Sequence, residues 1–190
     1  MKKIKVTALL LALLCVFSCV FTACSSPLSD EELVRVFKEA YSEAVMINEY
    51  VWGKGITPTE YDEDVTITPY YVTVSENEPY RTIAELKAAI SRVYVADLVD
   101  GEISEMLFYG YGDNGPKPRY SEKDGLLTVD VKYEGFELLG RFDPESAKVK
   151  RARGTTAVFT VTYTREGKSW EEDIMMRLEG EKWKFEAPTY

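Results

Sequence analysis

The sequence contains no histidine among its 190 residues. That absence excludes every catalytic set built on an imidazole base, Ser-His-Asp and Cys-His alike, and any histidine-type zinc site. Carboxylates, tyrosine, lysine, serine and threonine remain for chemistry. Cysteine is nearly as scarce: Cys15, Cys19 and Cys24 all lie near the N-terminus. Basic residues are in shorter supply than acidic ones, 23 against 32, for a formal charge of −9. Such a surface repels nucleic acid and anionic wall polymers, so nucleic-acid binding is excluded as a function, whereas a basic or amide-rich partner stays open.

What is present begins with "MKKIKVTALLLALLCVFSCVFTACSS". Three lysines precede an apolar run that ends at small residues, the layout of a secretory signal, and the run is too short and wrongly flanked for a transmembrane helix. "FTAC" followed by Ser25 and Ser26 is similar to a bacterial lipobox, in which the cysteine becomes the lipidated first residue. Phe21 departs from the usual leucine of that motif. Cys24 is the expected lipid anchor. Cys19 is a weaker candidate, because apolar residues continue beyond it, and an ordinary cleaved signal is the simpler alternative. The expected organisation is a signal peptide over residues 1–23, a short tether over 24–29 and one domain over 30–190. The protein would then sit lipid-anchored on the outer face of the cytoplasmic membrane. Loss of Lys2, Lys3 and Lys5 with the signal leaves 20 basic residues against 32 acidic ones, a formal charge of −12. The domain holds no cysteine and so no disulfide, despite an oxidising location. Its length suffices for one core burying about 70% of the unfolded chain's surface.

Ser29 with Glu32, and Thr82 with Glu85, each match a capping box that opens a helix. Apolar residues at helical spacing follow the first (Leu33, Phe37, Tyr41, Ala44, Val45, with Asn48 on the same face) and end near Gly53. Ile83, Leu86, Ile90 and Val93 follow the second, and a further helical segment passes through Leu98, Ile103, Met106 and Leu107. Between the helices lies a loop with Glu60, Asp62, Glu63 and Asp64, whose spacing lacks an EF-hand pattern and suits a solvated acidic loop. No metal or cofactor is expected. "YYVTV" reads as a short strand. "LLTVDV", "AKVKRA", "TTAVFTVTYT", "WEEDIMMRL" and "EKWKF" read as an antiparallel meander with one apolar face carrying Ala157, Phe159, Val161, Tyr163, Trp170, Ile174, Met176, Trp183 and Phe185. Helices first and strands later predict α+β, with N-terminal helices packed on one face of a C-terminal antiparallel sheet.

Several of these pieces occur in an order that resembles the IseA-like DL-endopeptidase inhibitors of Gram-positive bacteria: "VFKEAYSEAVMINEYVW", "YYVTV", "RTIAELKAAISRVYVADLVDGEISEML", "KDGLLTV", "FTVTYT" and "LEGEKWKF". The closing "GEKWKF" is similar to endings of the broader cystatin-like (NTF2-like) cone-shaped domains. The resemblance implies a non-enzymatic inhibitor of a cell-wall endopeptidase of the NlpC/P60 type, and the chain itself is expected to act as a monomer. It carries over no individual inhibitory residue. A membrane tether departs from the freely secreted namesake.

One stretch stands apart: "MLFYGYGDNGPKPRY", residues 106–120. Tyr109, Tyr111 and Tyr120 offer stiff amphipathic contact area, Asp113 and Asn114 offer peptide-like acceptors and donors, and the glycines and prolines limit the unbound ensemble. These five residues are the candidate partner-binding loop. The plainer reading is a helix C-cap and turn with its tyrosines folded over the core. The acidic loop around Tyr61 is a second candidate surface, suited to steering a basic partner. A small-molecule pocket is the alternative function. Tyr163 would line it and Glu172, in register with Trp170 and Ile174, would be its one inward carboxylate, of raised pKa if catalytic.

Overall fold

The computed structural model describes residues 28–111 and 115–190. Cys24 and the signal segment therefore lie outside the described residues, as do Asp113 and Asn114.

Both capping boxes form. Helix α1, Asp30–Val51, starts at Ser29, whose hydroxyl accepts from the Glu32 backbone N–H while the Glu32 carboxylate accepts from that of Ser29. Helix α2, Ile83–Val93, starts with the same reciprocal pair, Thr82 and Glu85. Each pair satisfies two backbone donors that a helix start leaves open. Leu33, Phe37, Tyr41, Ala44, Ile47, Asn48 and Val51 form the buried stripe of α1. A short helical turn at Ala96–Leu98 continues into two π-helical segments, Val99–Ile103 and Glu105–Tyr109. Buried Ser104 donates its hydroxyl to the Val99 carbonyl, a local bond that competes with the ordinary helix ladder.

Strands β4 (Gly140–Arg153), β5 (Thr156–Arg165), β6 (Lys168–Glu179) and β7 (Lys182–Phe185) form one antiparallel sheet in that order. Helix α1 lies across its apolar face. Phe37 packs on Phe159 and edge-on to Phe185, at 4.9 and 5.7 Å between ring centroids. Each such aromatic contributes about 1.5–3 kcal/mol by leaving water. The α+β class is as the sequence predicts. The expected single meander, however, is two sheets. The "LLTVDV" strand is β3, Leu126–Asp130, and it pairs with β1 (Tyr71–Thr73) and β2 (Tyr120–Lys123) in a separate three-stranded sheet. The segment after β3 carries the chain across the end of α1 before β4 begins, which separates them.

Direction matters for function. The Tyr41 hydroxyl accepts from the Phe142 backbone N–H at 3.0 Å, and Lys38 pairs with Glu145. Strand β4 therefore runs antiparallel to α1, and its last residues lie toward the α1 N-terminus. The 22 residues of α1 separate the two ends by about 33 Å. The chain enters α1 at one end, and the Tyr-Gly loop is rooted at the other.

Tyr94 and Tyr120 are fully buried. Burial is the leading cause that raises both phenols, Tyr120 to about 12 and Tyr94 further. An unfolded tyrosine titrates near 10, so the unfolded chain sheds these protons first. Stability is thus intact below pH 10 and falls between pH 10 and 12, by about 1.4 kcal/mol per pH unit for each group. Between pH 5 and 8 the missing histidine leaves the curve nearly flat. Urea midpoints measured across pH 6–12 check this, and Tyr120→Phe makes the alkaline slope shallower. A main loss of stability between pH 6 and 9 contradicts it.

Candidate functional site

The Tyr-Gly loop is pinned at both ends. The Gly110 N–H donates to the Glu105 carbonyl at 2.7 Å, and the Tyr111 N–H to that of Pro116 at 3.1 Å. Gly110 adopts φ 73°, and a Cβ there would lie 2.9 Å from the Pro116 oxygen and 3.0 Å from the Pro118 Cδ. Only glycine makes that turn without strain. On the return side the Tyr71 hydroxyl donates to the Pro118 carbonyl at 2.6 Å.

What roots the loop is Arg119, which is 1% exposed. Its guanidinium donates to the carbonyls of Val51 (3.2 Å) and Gly53 (2.6 Å), just where α1 ends. Helix α1 has no basic residue in its last turn, and Arg119 supplies one from 66 positions away in the chain. The positive charge meets the negative end of the helix dipole and two of its open carbonyls. The ring of Tyr133 faces the guanidinium at 4.9 Å, within cation–π range. Gly55, at φ 88°, provides the space: a Cβ there would fall 2.4 Å from the guanidinium. Sequence reading passed over Arg119, and a lone arginine beside two prolines carries no signal of burial.

The rooted loop presents Tyr109 at 67% exposure and Tyr111 at 49%. The Lys87 ammonium stands beside Tyr109. Asp100, 2.8 Å away, is the main cause that raises its pKa, with Tyr109 adding to it. Burial raises the Tyr133 phenol, with nearby Arg119 opposing and Tyr111 adding. Tyr120 corrects the expectation. It is 0% exposed, donates its hydroxyl to the Tyr50 carbonyl at 2.7 Å and accepts from the Ile56 N–H at 3.2 Å. Strand alternation explains why: Tyr120 opens β2 on its inward side, so it supports the loop and contacts no partner.

Glu172 departs from the pocket expectation as well. Glu172 sits opposite Val161 in the sheet register, so its parity is inward as expected, yet it is exposed. It accepts from the Trp170 indole N–H at 2.6 Å. The upper ends of β5 and β6 project past the core, so inward parity there faces solvent. Tyr163 is half-buried between Phe142 and Trp170, at 4.7 and 5.1 Å. It lines a cleft of about 200 Å³ with Phe136, Leu138, Leu139, Arg165 and Tyr190. Phe136, Leu139, Trp170 and Tyr190 are exposed. Phe136 is fastened by its N–H to the Trp52 carbonyl at 2.7 Å, and Tyr190 rests on the Trp52 ring at 4.8 Å. The strap 131–139 thus runs from Tyr133, near Tyr111, to this aromatic cleft. Both surfaces gather around the C-terminal end of α1, an arrangement no local motif announces.

The acidic loop forms no ligand cage. Asp62 accepts from the Asp64 N–H at 3.0 Å, and among the described residues no three carboxylates converge to hold a metal ion. Tyr61 packs edge-on to Tyr70. No protein-family model matches the chain, and no curated protein does.

Proposed function

We propose that this chain is a lipid-anchored extracytoplasmic binding protein with a cystatin-like cone, of the IseA-like kind. Its target is a cell-wall DL-endopeptidase of the NlpC/P60 type. The observation that carries the reading is the aromatic end. Tyr109 and Tyr111 stand exposed on a loop pinned at both ends, and Phe136, Leu139, Trp170 and Tyr190 are exposed around the same end of α1. That end points away from the one where the tether departs, so it is free to meet an enzyme working on the wall side. Pinned tyrosines lose little entropy on binding and enter a cleft closely. The reaction belongs to the target, and this chain supplies an obstruction.

The test adds residues 25–190 to an NlpC/P60 endopeptidase digesting purified peptidoglycan. Inhibition at micromolar domain is expected, and Tyr109→Ala with Tyr111→Ala weakens it about 1,000-fold, as two interface anchors each worth about 2 kcal/mol would. Inhibition untouched by the pair moves the contact surface to the Phe136–Tyr190 side. Several such enzymes all resisting the domain sinks the inhibitor reading. The 200 Å³ cleft beside Tyr163 then supports the second reading, a small apolar ligand held between aromatic rings.

A further inference from the structure

The opposite end of the molecule has its own chemistry. Strand β4 finishes in "KVKRAR", placing Lys148, Lys150, Arg151 and Arg153 within six residues of an otherwise acidic chain. All four are exposed. Lys150 pairs with Asp173; Lys148, Arg151 and Arg153 make no ion pair among the described residues. The antiparallel run of β4 against α1 puts this cluster and its turn at the end where the chain enters α1 from the tether.

We propose that the β4–β5 turn is a foot that rests on anionic lipid headgroups and orients the domain on the membrane. The inference rests on membrane attachment at Cys24. Six residues, 24–29, span at most about 20 Å, so a chain held there keeps its α1 end next to the bilayer. A surface potential acts over about 8 Å at physiological salt, which is short enough for the turn to feel attraction while the rest of the acidic domain feels little. Clustered lysine and arginine beside a membrane attachment is the arrangement that anionic lipids recognise. Asp30, Glu31 and Glu32 in the first turn of α1 oppose approach on their side. The domain therefore tips toward the cationic edge strand, and the aromatic end is lifted away from the membrane.

The chain from Cys24 onward has one cysteine, so it couples through that thiol to a maleimide lipid, and attachment is given whatever the cell does. Lysine acylation is then followed by mass spectrometry on neutral phosphatidylcholine vesicles and on vesicles carrying one part in three phosphatidylglycerol. Lys148 is expected to react several-fold more slowly on the anionic vesicles, and Lys132, beside Tyr133 at the other end, equally on both. Salt at 0.5 M, or Arg151→Glu with Arg153→Glu, abolishes the protection. Equal Lys148 rates on both vesicles overturn the proposal, and so does protection that survives the charge reversal. Stronger protection by soluble polyphosphate on neutral vesicles would assign the foot to an anionic polymer and overturn the lipid reading.

Discussion

Replacing Arg119 by alanine is expected to lower the unfolding free energy by about 4 kcal/mol, and by methionine about 2 kcal/mol. The two values separate two roles. Methionine keeps most of the buried stem's volume, so its cost reports the Val51 and Gly53 carbonyls left without a donor. Alanine adds the cavity. Among the described residues no carboxylate lies within ion-pair distance of the guanidinium and its Nε finds no hydrogen-bond partner, so removing the charge recovers part of the desolvation cost and limits the methionine figure. Urea midpoints of the two variants decide the matter. A methionine variant as stable as the parent would show that desolvation cancels the two bonds, and that α1 ends as well without its remote cation. Because Arg119 lies between Pro118 and Tyr120, the same variants loosen the Tyr-Gly loop.

Asn48→Leu is expected to cost about 3 kcal/mol. The Asn48 amide donates to the Thr189 carbonyl at 2.9 Å and contacts its hydroxyl at 3.2 Å, while its oxygen accepts from the Tyr94 hydroxyl. The Tyr94 hydroxyl also meets the Thr189 hydroxyl at 3.0 Å. All three residues are buried. Leucine has the same branching and as many side-chain heavy atoms, so the loss comes from polar groups left unpaired rather than from a void. The bonds hold the C-terminal tail against α1, and Tyr190 on Trp52 with it. Adding Tyr94→Phe to Asn48→Leu removes the hydroxyl that has lost its Asn48 acceptor, so the double variant loses less than the sum of the singles. Strict additivity in that cycle would refute the coupled cluster. Release of the tail also opens the cleft beside Tyr163, which links this buried polar cluster to the aromatic end.

Much of the frame was legible because its signals are local. A capping box needs four residues and an amphipathic stripe about three turns or more, and both helices start where the serine and threonine place them. Even Asn48, polar on an apolar stripe, was placed on the correct face. Strand alternation located Ala157, Phe159 and Val161 in the core. Alternation then failed at Trp170 and Glu172, since period two gives a side and says nothing of whether a helix covers it. The glycines and prolines of residues 110–118 likewise identified a loop without saying which of its tyrosines would be buried.

The sequence by itself determined the absence of histidine chemistry, the acidic surface, the helix starts and the α+β class. Composition and short-range spacing are complete descriptions of those properties. Tertiary structure decided the rest: two sheets rather than one, Tyr120 as a core residue, Arg119 at the end of a helix it does not belong to, and an aromatic end opposite a cationic one. Each of these is a meeting of segments distant along the chain. Burial and charge pairing depend on what arrives from elsewhere, and that is fixed only when the chain closes on itself.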